Sequence, residues 1–256
     1  MSLKKWLKLP GAKKQGKREN GGGMESLWDL SRYDERFRDY AHWCGAGRWS
    51  ESRWEQYGAD NLKRAFACLS AACGAECIEG LRGKTALEWG CGGGANIPPL
   101  CGHFSLVYGI DISPATLEEC ERRIAGRGIG HFRKVHIESD RPNTALSGIS
   151  AASVDFSVSF AVFQHFPSPE YSLEVLRTMR DLLRDGGFGL VQVRYDDGSE
   201  KFRPKRGDYT RNFITMTSFR NGEFESMIRK AGLEPLFNER DPDDPDCHEY
   251  HVFKKG

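Results

Sequence analysis

Glu88, Gly90, Gly92, Gly94 and Asp111 are the residues of this 256-residue chain whose types and spacing suggest chemistry. The first four lie in ALEWGCGGGANIPPL, a glycine-rich turn set between an apolar run and the start of a helix. Glycine at such a turn lets a ligand reach the backbone where side chains would block it. Asp111 closes the phrase LVYGIDIS, 21 positions after Gly90, and its carboxylate is expected beside the turn, where it can accept both hydroxyls of a ribose. The same carboxylate could instead cap the helix that begins near Pro114. Gly90-x-Gly92-x-x-Ala95 also satisfies a dinucleotide fingerprint, so that reading stays open on these residues alone.

More features join in order along the chain. Ser139-Asp140 follow a third apolar run, Asp155-Phe156-Ser157-Val158-Ser159-Phe160 has the form D-x-x-V-x-x, and Leu183, Gly186 and Gly187 form L-x-x-G-G. With the acidic residue two positions before G-x-G-x-G, residues 85–193 resemble the class I S-adenosylmethionine (SAM) dependent methyltransferases. The resemblance implies SAM as cofactor, with Glu88 and the glycine loop at its amino acid end, Asp111 on the ribose and Ser139-Asp140 near the adenine. It also implies contacts from Cys91, Asn96, Ile112, Phe160 and Gln164. Glu88 separates SAM from a dinucleotide on charge: SAM carries an ammonium and a sulfonium, a dinucleotide an anionic pyrophosphate. At an effective dielectric near 20, a contact at about 4 Å is worth around 4 kcal/mol in either direction. An ion pair with Lys84 is the bland alternative for Glu88.

In methyl transfer the cofactor supplies the electrophile, and approximation of the reactants can contribute roughly 7 to 11 kcal/mol without a covalent residue. His165, in AVFQHF after the fourth apolar run, is the candidate general base, with packing at a helix start as its structural alternative. No Asn-Pro-Pro-Tyr motif or Pro-Cys nucleophile follows that run, which disfavours nucleic acid as the acceptor. Residues 201–220 carry a net charge of +5 with aromatic residues interleaved. They are expected to form either a solvated loop or a flap in which Arg203, Arg206, Tyr209 and Arg211 bind an anionic or sugar-linked acceptor.

Short apolar runs alternating with amphipathic stretches are expected to build a Rossmann-like α/β fold. Its seven-stranded sheet is mostly parallel and closes with a C-terminal antiparallel hairpin. Strands are predicted at 85–89, 106–110, 134–138, 154–160, 188–193, 236–238 and 250–254. Ser113-Pro114 and Ser168-Pro169 read as helix caps with proline at the first helical position, and Gly126, Gly186 and Gly232 as helix stops. Residues 24–80 form a helical, aromatic cap, from which Trp54 and Tyr57 are singled out for cofactor contact. Residues 81–256 form the core, with 195–220 as a flap insertion.

Residues 1–23 hold seven basic residues against Glu19, a charge of +6 that leaves the remainder near −5. This stretch reads as a disordered tail able to touch an anionic surface. The eight cysteines show no CxxC pair and no zinc spacing, so reduced thiols, no metal and a cytoplasmic location are expected. A small-molecule O- or N-methyltransferase is the leading reading. An RNA or protein methyltransferase, an NAD(P)-dependent oxidoreductase and a non-catalytic SAM-binding protein remain as alternatives.

Overall fold

Buried apolar runs become strands wherever both faces of the chain can be covered, and here they order themselves into one seven-stranded sheet. The fold is that of a computed structural model in which residues 23–45, 47, 49–205, 207–240 and 244–256 are described. The basic tail through residue 22, Arg206, and Asp241 and Asp243 of the acidic loop lie outside the described residues.

The strands are β1 Thr85–Trp89, β2 Leu106–Asp111, β3 Phe132–His136, β4 Val154–Ser159, β5 Leu183–Arg194, β6 Glu234–Arg240 and β7 His248–Lys254. Their order is β3-β2-β1-β4-β5-β7-β6. The first five are parallel, and β7 pairs antiparallel with both β5 and β6, as the sequence pattern led one to expect. Order reverses between β1 and β4, whose carboxyl ends are tied by Ser159 Oγ donating to the Trp89 carbonyl at 2.9 Å. That crevice is where open α/β sheets bind ligands.

Nine α-helices cover the described sheet. They are α1 Met24–Trp28, α2 Glu35–Tyr40, α3 Glu51–Cys73, α4 Ala75–Leu81, α5 Ile97–Cys101, α6 Pro114–Ala125, α7 Pro169–Leu182, α8 Tyr209–Asn212 and α9 Glu223–Lys230. One apolar layer joins α3, α5 and α6 to the sheet through Trp54, Leu69, Leu100 and Cys120. The opposite layer joins α7 and α9 through Val175, Met179, Phe224 and Ile228. Both serine caps form: Ser113 Oγ accepts from Thr116 N at 3.2 Å and Ser168 Oγ from Tyr171 N at 3.3 Å. All eight cysteines are free thiols. Among the described residues no helix is long and apolar enough to cross a membrane.

Three expectations shift. The third strand starts two residues before the predicted 134–138, because Phe132 pairs with Val107 and its ring packs where Gly109 leaves room. Gly186 does not stop α7; the helix ends at Leu182, and Gly186, at φ +77°, turns the chain within β5 and donates to the Lys255 carbonyl at 2.9 Å. The helical pattern over 26–73 breaks into α1, a 3-10 turn Asp29–Arg32, α2 and α3, with His42 at φ +58° between the last two.

Helix α3 sets the depth of the crevice. A Cβ at Gly58 would stand 1.9 Å from the Ala95 carbonyl oxygen, just past the glycine loop. Gly58→Ala is therefore expected to push α3 outward and destabilise the protein by about 1 to 3 kcal/mol, measurable as a lower denaturation midpoint in urea.

Candidate active site

The carboxyl ends of β1, β2 and β4 open into a solvent-connected cavity whose empty space, open solvent included, is about 820 Å³. Its floor comes from Glu88, Gly90, Cys91, Gly92, Asn96, Asp111, Ile112 and Phe160, eight of the fourteen residues expected at a cofactor.

Glu88 is 1% exposed. Its Oε1 accepts from Asn96 Nδ2, and its Oε2 has no partner among the described residues. Burial, reinforced by the neighbouring Asp111 charge, pushes its carboxyl up to about 8 against the pull of the Asn96 amide. Asn96 is itself held, its Oδ1 accepting from Asn61 Nδ2 of α3 at 3.0 Å. Asp111 has Oδ2 accepting from Gly92 N at 3.0 Å and Oδ1 from Ser113 N at 2.9 Å. Burial raises it to about 6, although those backbone donors favour the ionised form. Among the described residues the cavity wall contains no lysine or arginine. The ion pair imagined between Glu88 and Lys84 is absent from the buried surroundings of Glu88, whose hydrogen bond goes to Asn96.

The glycine loop is backbone laid bare. Gly90 and Gly92 take φ of +75° and +53°. Gly93 N donates to the Ala41 carbonyl at 2.7 Å, seating the cap on the loop. Gly94 instead faces Cys120, outside the cavity wall.

Above the floor the wall turns aromatic: Trp28, Tyr40, His42, Phe166, Tyr171 and Tyr209 all reach it. His165 joins them, with Nδ1 donating to the Phe213 carbonyl at 2.7 Å and the Trp28 ring 5.1 Å away. Burial holds this histidine down at about 4, outweighing the two carbonyls, of Phe213 and Ala161, that favour its cation. His42 lies lower still, at about 3, for the same cause. It and Ala161, at φ +56°, are non-glycine residues in the left-handed region, both on the cavity wall.

The structure leaves several expected residues elsewhere. Trp54 is fully buried under Arg123 and Arg127, at 5.0 and 4.9 Å, and does not reach the cavity. Tyr57 stands behind the floor, hydrogen-bonded to Asn61. Ser139 and the exposed Asp140 lie beyond the wall, which ends on that side at Ile137. Gln164 is buried off the wall, its backbone carbonyl accepting from Thr217 N at 3.1 Å. Of the expected flap residues that are described, only Tyr209 faces the cavity, its hydroxyl accepting from Trp28 Nε1 at 3.3 Å. Arg211 is exposed and paired with Asp208 at 3.2 Å, and Arg203 lines a separate surface hollow. A charged side chain follows water when no buried partner offers itself, so Arg203 and Arg211 do not converge on the cavity. Sequence reasoning missed Met24, His42 and Tyr171; the dense aromatic run of the cap was the one signal, and it pointed to a region rather than to residues.

Residues 87–188 match the family model described as a methyltransferase domain. Over 110 residues, 43% of this chain, the sequence is 33% identical to a probable non-canonical nonribosomal peptide synthetase of Salinispora arenicola, of which the match spans 1%. It is 28% identical to a ubiquinone biosynthesis O-methyltransferase of Haemophilus ducreyi over 109 residues, 42% of this chain and 44% of that protein. The chain thus matches less than half the length of these curated relatives. Magnesium protoporphyrin IX methyltransferase of Synechocystis, solved with bound S-adenosylhomocysteine, has a TM-score of 0.61 at 15% identity, covering 91% of this chain and 97% of that one. The N-methyltransferase NodS of Bradyrhizobium japonicum, also with S-adenosylhomocysteine, gives 0.55 at 14% identity over 76% and 86%. At such identities the likeness is one of fold.

The Glu88 carboxyl is expected to titrate near 8 in the free protein when followed by carbon-detected NMR. Asn96→Ala removes the amide that favours its ionised form and is expected to move the midpoint higher still.

Proposed function

Because residues 87–188 match a methyltransferase domain and the glycine loop with its two carboxylates resembles that of the class I SAM-dependent methyltransferases, we propose that the cavity presents SAM to an oxygen or nitrogen atom of a small-molecule acceptor. SAM is the cofactor of that family. The observation that carries the reading is the pair of carboxylates at adjoining strand ends, one with an unpartnered oxygen, in a wall free of basic side chains among the described residues.

The residues present fit the cofactor. Glu88 Oε2 offers a buried acceptor for an ammonium. Each Asp111 oxygen gives one lone pair to a backbone N–H and keeps another for a ribose hydroxyl. A dinucleotide would bring its pyrophosphate to the same carboxylates with no cation to meet it. When bound, the cofactor would supply an electrophilic methyl group to the acceptor's lone pair.

The chain's own task is positioning, water exclusion and proton removal. With Nδ1–H committed to the Phe213 carbonyl, the neutral His165 ring keeps its lone pair on Nε2. Burial keeps it neutral well above pH 4, with that lone pair open to the acceptor's proton, and the same burial makes it a weak base. The carbonyls of Phe213 and Ala161 then steady the imidazolium. Ser139-Asp140 remain proposed for the adenine, which would reach past Ile137 to meet them.

Calorimetry is expected to show both SAM and S-adenosylhomocysteine binding; failure of both at millimolar concentration would end the proposal. Because Glu88 is protonated below about 8 in the free protein and a cation favours its ionised form, SAM affinity is expected to rise with pH and level off above about 8. Glu88→Gln should remove that slope and weaken binding by roughly 10- to 100-fold, the worth of a hydrogen bond to a charged group. His165→Gln is expected to lower kcat by about 10²- to 10⁴-fold, with cofactor affinity as the control that must hold.

A further inference from the structure

Resting on the methyltransferase reading above, we infer that the acceptor is an uncharged, planar aromatic compound bearing the hydroxyl or amine to be methylated, and not the anionic compound that the basic stretch suggested. The cavity divides by element. Its floor belongs to the ends of β1 and β2, and its roof to α1, α2, the segment after β4, the start of α7 and α8.

In the roof, Trp28, Tyr40, Phe166, Tyr171 and Tyr209 surround His165. They brace one another: Tyr209 to Trp28 by a hydrogen bond of 3.3 Å, Phe166 to Tyr171 at 4.9 Å between ring centroids, Trp28 to His165 at 5.1 Å. Such walls favour flat aromatic guests, whose rings gain offset or edge contacts beyond simple area burial. The phenolic oxygens supply hydrogen bonds for neutral polar substituents.

An anion entering this space would lose its hydration, and among the described residues no lysine or arginine lines the wall to replace it. Lys205 gives its ammonium to the Glu200 carbonyl, Arg203 donates to Gly198, and Arg211 pairs with Asp208. Arg194 is buried and close enough to depress His165, yet it donates to the Ile214 carbonyl, lies over the Phe202 ring and is not part of the wall. The floor adds two carboxyls, Glu88 and Asp111, and among the described residues no basic side chain. Unpaired burial of charge is the costliest event in such a site, so the roof discriminates by exclusion as much as by attraction.

The test compares 2-naphthol with 6-hydroxy-2-naphthoate on protein saturated with S-adenosylhomocysteine, by calorimetry. We expect 2-naphthol to bind at least tenfold more tightly. Trp28→Ala should weaken 2-naphthol at least tenfold more than it weakens S-adenosylhomocysteine. Tyr209→Arg, which places a cation in the roof, should narrow or reverse the preference by strengthening the naphthoate. Equal or tighter naphthoate binding to the native protein, or binding of neither probe up to its solubility limit, overturns the inference. Failure of S-adenosylhomocysteine itself to bind strikes the methyltransferase reading instead, so the two failures are distinguishable.

Discussion

Two carboxylates are buried side by side in this protein with no basic side chain in the cavity they share. Left alone, that arrangement is unfavourable, and the chain answers by keeping Glu88 protonated and by turning backbone N–H groups and an asparagine amide toward the oxygens. A cation arriving at Glu88 Oε2 converts a strained electrostatic situation into a satisfied one. The parallel sheet makes this possible, since neighbouring strands that end at the same edge deliver Glu88 and Asp111 to one crevice.

Holding those groups in place requires contacts well behind them. Asn61 of α3 orients Asn96, which orients Glu88, so the position of a long surface helix is coupled to the protonation of the floor. Glu51 at the start of α3 pairs with Arg123 in the last turn of α6 and with Arg127 just beyond it. Ser113, the cap of α6, donates to Asp29 at 2.7 Å. The same helix therefore anchors both α3 and the first turns of the cap, and the glycine loop lies between them. The cap rests on the glycine loop through the hydrogen bond from Gly93 N to the Ala41 carbonyl.

His165 shows how remote segments combine. It sits in a 3-10 turn after β4, is held by the Phe213 carbonyl, and meets the edge of Trp28. Three stretches far apart in the chain thus set the tautomer, the burial and the access of one imidazole. The left-handed residues His42 and Ala161 mark the points where the backbone bends sharply to bring these stretches to the wall.

The mostly parallel sheet, its antiparallel close and the floor of the cavity could be read from the sequence, while the strand order could not. Glu88, Gly90, Gly92, Asn96, Asp111 and Ile112 were legible because strand, turn and helix start occupy one short stretch, where backbone geometry dictates which residue types are tolerated. The roof was not. Trp28, Tyr40, His42 and Tyr171 reach the cavity, while Trp54 is spent on core packing beneath two arginines and Arg203 and Arg211 turn to solvent. Periodicity says which face of a helix is apolar but not which of several aromatic rings is left over once the core is filled. Charge counts say nothing of where a flexible cation points. By itself the sequence determined a turn and two carboxylates, through local backbone rules; the aromatic roof of the cavity was decided by packing between distant segments, where burial and desolvation act only on the assembled whole.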